Sequence, residues 1–158
     1  MIDYLLSKGH KVLVLTYGQA VEVLKQYSML KVEGIRFFVD NNKIQLGKTI
    51  QEGFNSIIKN IRNWPEIQKR VEKFSPRVCI TDFEPLVPII RFWKKLPLIS
   101  LDNQHRITHL PLKVPKEDYA DYVLAKQLVQ GCVGRADFFI ILSFTKAKIK
   151  REGVFFVS

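Results

Sequence analysis

Two polar clusters, each directly behind a short apolar run, hold the side chains of this sequence best suited to chemistry. Asp82-Phe83-Glu84-Pro85 follows the run at 78–81. Asp102-Asn103-Gln104-His105-Arg106 follows the run at 98–101, with His109 four residues beyond His105. Glu84, Asp82 and His105 are the groups able to take or give a proton near neutral pH once their surroundings tune them. Asp102, Asn103, Gln104 and Arg106 set donors and acceptors side by side, as orienting a polyhydroxylated substrate requires. A plainer explanation stands beside each cluster. Asp82 or Glu84 can cap the helix that Pro85 opens, where negative charge is worth about 0.3–1 kcal/mol. One cap suffices, so the second acid asks for another use. The 102–106 stretch also suits an ordinary surface loop. Asp102, His105 and His109 have ligand-like spacing, but the glutamate of the zincin pattern is missing and Leu110-Pro111 ends any helix, so no metal site is expected. His10, at a helix-to-strand turn, reads as structural.

These clusters need elements to hold them. The runs at 11–16, 78–81, 98–101 and 138–142 are rich in Val, Ile, Leu and Phe without alternation, the mark of strands buried on both faces of a parallel sheet. Residues 154–157 make one more strand, and 30–46 one or two strands turned at Asp40-Asn41-Asn42. Between them lie helices. Residues 20–27 put Ala20, Val23, Leu24 and Tyr27 on one face, and 117–133 do so with Tyr119, Tyr122, Val123, Val129 and Cys132. A third helix opens at Pro85. A fourth spans 47–64 and continues, kinked at Pro65, to about residue 74. This alternation predicts an α/β fold with a doubly wound, mostly parallel Rossmann-like sheet over 1–158 as a single partial domain. In such sheets ligands gather at the carboxyl ends of strands, which is where both polar clusters fall.

A doubly wound fold normally opens with its central strand and a glycine-rich turn. This sequence opens in what reads as the following helix, closed by Gly9, and 155–158 end in strand character. A fragment lacking its first strand is expected, with the neighbouring strands left unpartnered.

Composition narrows the function classes. A chain of 158 residues that is 47% hydrophobic and 25% charged is globular, not low-complexity. No stretch approaches the roughly 20 apolar residues of a membrane helix. Met1-Ile2-Asp3-Tyr4 does not read as a secretory signal, and Cys79 and Cys132 sit in apolar runs, so core thiols in a reducing cytoplasmic compartment are expected. A net charge of +10 points to an anionic partner. Residues 47–64 carry Ile50, Phe54, Ile57, Ile58 and Ile61 beside Lys48, Lys59 and Arg62, a stripe that suits either the sheet or the inner face of an anionic membrane. Lys146, Lys148, Lys150 and Arg151 read as a solvated face. The phenylalanines sit in apolar runs, not among Lys and Arg, so nucleic acid is not an expected partner. Walker and G-x-G-x-x-G loops are both missing from the sequence.

Leu6-Ser7-Lys8-Gly9-His10-Lys11-Val12, Thr16-Tyr17-Gly18, Thr81-Asp82-Phe83-Glu84-Pro85 and Leu96-Pro97-Leu98-Ile99-Ser100-Leu101-Asp102-Asn103-Gln104-His105, in this order, resemble the N-terminal domain of GT-B glycosyltransferases. The narrower likeness is to the archaeal and bacterial glycosyltransferase family 28-like, UDP-glucuronosyltransferase-like group. The resemblance implies the acceptor-binding half of an enzyme that moves a hexosyl group from a UDP-sugar to the hydroxyl of a sugar or lipid-linked acceptor. The donor binds a C-terminal domain outside this sequence, the chain alone is inactive, and no cofactor beyond the nucleotide-sugar co-substrate is needed. Glu84, Asp82 and His105 are then the candidate catalytic groups, with Asp102, Asn103, Gln104, Arg106 and Tyr17 the candidate acceptor contacts. A UDP-sugar 2-epimerase shares the architecture. A non-catalytic basic module for nucleic acid or anionic membrane is the alternative of a different class.

Overall fold

The computed structural model describes residues 1–34, 39–40, 43–44, 46–143 and 152–157. The chain divides into two compact units, Met1–Ser75 and Pro76–Ser158. In both, parallel strands alternate with helices, which is the expected Rossmann-like α/β architecture.

In the first unit, α1 (Ile2–Ser7) closes where Gly9 takes φ +79°, its N–H donating to Leu6 O while His10 N–H donates to Leu5 O. This closure favours a residue without a Cβ. β1 (Val14–Thr16) pairs in parallel with β2 (Met29–Lys31), Val14 opposite Met29. Only the second half of the 11–16 run is strand, because β2 offers three residues to pair with. The helix expected over 20–27 is a single turn, α2 (Ala20–Val23), with Ala20 and Val23 exposed instead of on a buried face. The link from β1 to β2 is about a dozen residues, near the shortest crossover that parallel strands allow, so the helix must stop early.

β3 (Val39–Asp40) and β4 (Lys43–Ile44) pair as an antiparallel hairpin. Asn41 and Asn42, expected at its turn, lie outside the described residues. The long helix expected from 47 is two helices, α3 (Leu46–Arg62) and α4 (Trp64–Phe74), broken at Asn63. Pro65 lacks an N–H and is accommodated in the first turn of α4, where amide hydrogens have no helical acceptor anyway. Asn60 clasps the backbone of Glu33, accepting its N–H at 2.9 Å and donating to its carbonyl at 2.7 Å. Of the expected apolar stripe on α3, Ile58 and Ile61 are exposed, while the side chains of Ile50, Phe54 and Ile57 lie outside the described residues.

The second unit is a four-stranded sheet of β5 (Cys79–Thr81), β6 (Leu98–Asp102), β7 (Phe138–Leu142) and β8 (Val154–Val157), all parallel and adjacent in chain order. The links are α5 (Leu86–Lys94), then the short α6 (Arg106–His109) and α7 (Tyr119–Val133). Parallel crossovers are right-handed, so the links from β5 to β6 and from β6 to β7, laid down in one direction, lie on the same side. One face accordingly carries the buried residues Cys79, Thr81, Leu98, Ser100, Asp102, Ile141 and Val154. Residues of α5 and α7 gather around Leu98, and His105 and His109 pack on Phe139 of the same face. α7 buries Val129 and Val133 but leaves Tyr119 exposed, contrary to the expected stripe, so only its second half serves the core. The opposite face carries Ile80, Ile99, Leu101, Phe138, Ile140, Leu142, Phe155 and Val157. Phe138, Leu142, Phe155 and Val157 are exposed there, which corrects the expectation that β7 is buried on both faces. The charge run of Lys146, Lys148, Lys150 and Arg151 lies outside the described residues.

Asp137 ties this unit together at the amino ends of the strands. Its carboxylate accepts two hydrogen bonds from Arg91 Nη2, at 3.1 and 3.2 Å, and the Leu98 N–H at 2.8 Å. Those bonds hold its carboxyl below the usual range, the Leu98 amide contributing most. Removing the acceptor strands a half-buried amide and a guanidinium, so Asp137→Ala is expected to cost about 1–3 kcal/mol in urea unfolding, and Asp137→Asn clearly less. Equal losses in the two variants would assign the effect to packing instead.

Candidate functional site

Thr81 pairs with Ser100 in parallel register, so β5 and β6 end side by side and both polar loops leave from one edge of the sheet. The first loop is folded by Thr81, whose hydroxyl accepts Glu84 N–H at 2.9 Å and donates to Glu84 O at 3.1 Å. Closing so tight a turn forces Phe83 to φ +57°, a left-handed conformation that costs a non-glycine residue about 1–2 kcal/mol. The turn delivers Glu84 into the interior, where it is only 8% exposed. Its Oε1 accepts the Leu86 N–H at 3.2 Å, so Glu84 does cap α5, while its Oε2 is buried without a partner. Burial pushes its carboxyl up to about 7, with the Leu86 amide pulling the other way. Cys132 on α7 is close enough for its thiol to be raised by the Glu84 charge as well as by burial. Asp82 remains at the surface, its carboxyl raised by loss of water and by the neighbouring Asp102 charge.

The second loop is organised by Asp102, which is fully buried. Its Oδ1 accepts the His105 N–H at 2.9 Å, and its Oδ2 takes both the Ser100 hydroxyl at 2.5 Å and His105 Nδ1 at 2.7 Å. Burial alone would raise this carboxyl, but the bonds from His105 and Ser100 outweigh it and hold the group below its usual range. Asp102 is thus an ionised acceptor, and His105 Nδ1 carries the proton donated to it. His105 itself is 1% exposed, with its Nε2 buried and unpartnered. Its ring lies 4.7 Å from Phe139 and 5.7 Å from His109, centroid to centroid. The arrangement can accept a proton at Nε2 while Asp102 stabilises the resulting imidazolium. Arg106 is half-buried and its Nε is a second unpartnered buried atom, a donor beside the same loop. Asn103 and Gln104 are exposed, Gln104 Oε1 accepting the Asn103 N–H at 3.2 Å.

Of the residues singled out in the sequence, Asp82, Glu84, Asp102, Asn103, Gln104, His105 and Arg106 therefore share one edge of the second unit. Tyr17 belongs to the first unit, just after β1, its ring packed so close on Gly34 that a Cβ there would collide with it. Ser100 and Phe139 were not anticipated. Ser100 could have been found from period-two alternation, which puts it on the same side of β6 as Asp102. No group of three metal-binding side chains is found among the described residues. Cys79 and Cys132 are free thiols, Cys79 pushed up to about 11 by burial.

The raised Glu84 carboxyl links stability to pH. The folded chain binds this proton more tightly than the unfolded chain, so its stabilising effect is complete below about pH 4.5 and is lost as pH rises through about 7. The difference is on the order of 3 kcal/mol. Glu84→Gln keeps the cap acceptor without the ionisation. It is expected to flatten the decline in urea-unfolding stability between pH 5 and pH 8, and to leave the variant at least as stable as the parent at pH 8. An unchanged pH slope would show that Glu84 does not carry the effect.

No curated protein gives a significant match to the chain. The family model for Glycosyl transferase family 1 matches residues 1–157, which takes in β1 and β2, both polar loops and β8. Parallel strands alternate with helices, polar and titratable side chains stand at the carboxyl edge of the second unit's sheet, and with that match the chain belongs to glycosyl transferase family 1.

Proposed function

We propose that this chain is the acceptor-binding half of a GT-B glycosyltransferase, in which His105, oriented by Asp102, takes the proton of the acceptor hydroxyl as a hexosyl group arrives from a UDP-sugar. The observation that carries the reading is the asymmetry of the His105 ring. Nδ1 is committed to Asp102 at 2.7 Å, while Nε2 is buried with its lone pair unused. A buried acceptor atom without a donor is costly, and a substrate O–H is one group that would satisfy it. Because the ring is buried, a hydroxyl reaches Nε2 only when a neighbouring side chain moves, and Phe139 and His109 are the rings beside it.

As the new C–O bond forms at the anomeric carbon, the bond to the nucleotide diphosphate breaks and the acceptor proton passes to Nε2. Asp102, kept ionised by its three donors, stabilises the imidazolium so formed. Glu84, half-titrated near neutral pH, and Asp82 line the same edge and support acceptor binding or proton relay. Arg106, Asn103 and Gln104 supply hydrogen bonds to the remaining hydroxyls. The donor nucleotide belongs to a further domain. The resemblance to the family 28-like group supports a UDP-sugar donor and leaves both sugar and lipid-linked acceptors in play.

In protein carrying both halves, His105→Ala is expected to lower kcat at least a hundredfold, within the range for losing a general base. Asp102→Asn should lower it at least tenfold with a smaller change in acceptor KM. Nitrogen NMR of the chain should show the His105 ring protonated at Nδ1. Turnover at the parental rate in His105→Ala would remove the histidine from the reaction and leave Glu84 as the remaining buried base.

A further inference from the structure

We infer that the edge of the second unit opposite the polar loops is a docking surface for a membrane rich in anionic lipid. All four strands of this sheet run in parallel, so their amino ends share one edge, built from the segments just before β5, β6, β7 and β8. Two aromatic rings stand on it in the open, Phe92 at the end of α5, 78% exposed, and Phe138 at the start of β7, 45% exposed. Phe155, 54% exposed, lies beside them on the open face opposite Ile140, its ring 6.4 Å from that of Phe138. Phe92 and Phe138 flank an open groove of about 700 Å³ with Leu96, Pro97 and Lys95. Apolar rings left in water are a cost that an apolar partner would remove.

The charge around these rings says which apolar partner. Among the described residues of this edge's segments stand Arg77, Lys94, Lys95 and Arg135, against Glu152 as the acid not already engaged by a neighbouring cation. Asp137 is neutralised by Arg91, and Lys94 lies over the Trp93 ring at 4.7 Å. Exposed Phe with Trp, Lys and Arg on one rim is the chemistry of an interfacial anchor. The rings enter the boundary of the acyl chains, and the cations are drawn to an anionic surface. No helix among the described residues is long and apolar enough to cross a membrane, so the contact is peripheral. This edge is distinct from the α3 stripe, and the inference does not depend on the chemistry assigned to His105.

The test is sedimentation of the full chain with vesicles of phosphatidylcholine alone or with about 30% phosphatidylglycerol, read together with Trp fluorescence. The chain should sediment with the anionic vesicles, at least tenfold more strongly than with neutral ones, and be released by salt. Trp93 emission should shift to the blue on binding, and Trp93→Phe should remove the shift. Phe92→Ala and the pair Lys94→Glu with Lys95→Glu should each weaken the partition at least tenfold while far-ultraviolet circular dichroism and the urea midpoint stay near the parent's. Equal binding to both vesicle types, or anionic binding that all these variants retain, would overturn the inference. Phe92-dependent self-association without vesicles would assign the patch to a second copy of the chain and overturn it as well.

Discussion

A carboxylate taken out of water has to be given hydrogen-bond donors, and the second unit of this protein is arranged around meeting that demand for Asp102. Ser100 supplies one donor from the same strand face, and the His105 backbone and ring supply the other two. Each bond also does something for the fold. The backbone bond turns the chain directly after β6 and starts α6. The ring bond draws His105 inside, where it packs on Phe139 of the neighbouring strand. The register of β6 against β7 thus settles where the imidazole sits, and Asp102 settles which of its nitrogens is left over.

The neighbouring loop solves the opposite problem. Glu84 is nearly as buried as Asp102 but receives one backbone donor where Asp102 receives three hydrogen bonds. Hydrogen bonding therefore holds one acid ionised, and burial pushes the other up to about 7, at the ends of two adjacent strands. Two carboxyl groups with such divided proton affinities give one edge of a sheet both a fixed charge and a group that can exchange its proton. The strained turn at Phe83 is the local distortion that puts Glu84 inside.

Much of this was legible in the sequence wherever the decisive physics is local. Uninterrupted Val, Ile, Leu and Phe marked β7 and β8 with the boundaries they have, and the polar clusters fell at the strand ends because parallel sheets gather ligand-facing loops there. What was not legible depends on partners distant in the chain. β1 is half the length its composition suggests because β2 is short, and β6 gains Asp102 because Ile141 stands opposite to pair with it. Ser100 looked like an interruption of an apolar run until the alternation put it beside Asp102. The short α2 and the break at Asn63 reflect a crossover length and a missing amide, neither of which an apolar stripe records. The open face of β7 and β8 follows from strand order, which no single segment contains.

Strand register has one more effect, on the two sides of the sheet. Phe138 stands level with Ile99, and the imidazole of His105 packs on Phe139, the very next residue. Successive residues of a strand point to opposite faces, so one dipeptide of β7 looks both ways: Phe138 is exposed on the open side, and Phe139 carries the histidine on the covered side. Sliding β7 by one residue against its neighbours would move both rings by about 3.3 Å and exchange their sides. The seat of the imidazole and the apolar character of the far face are therefore a single choice of pairing, and neither can be altered alone.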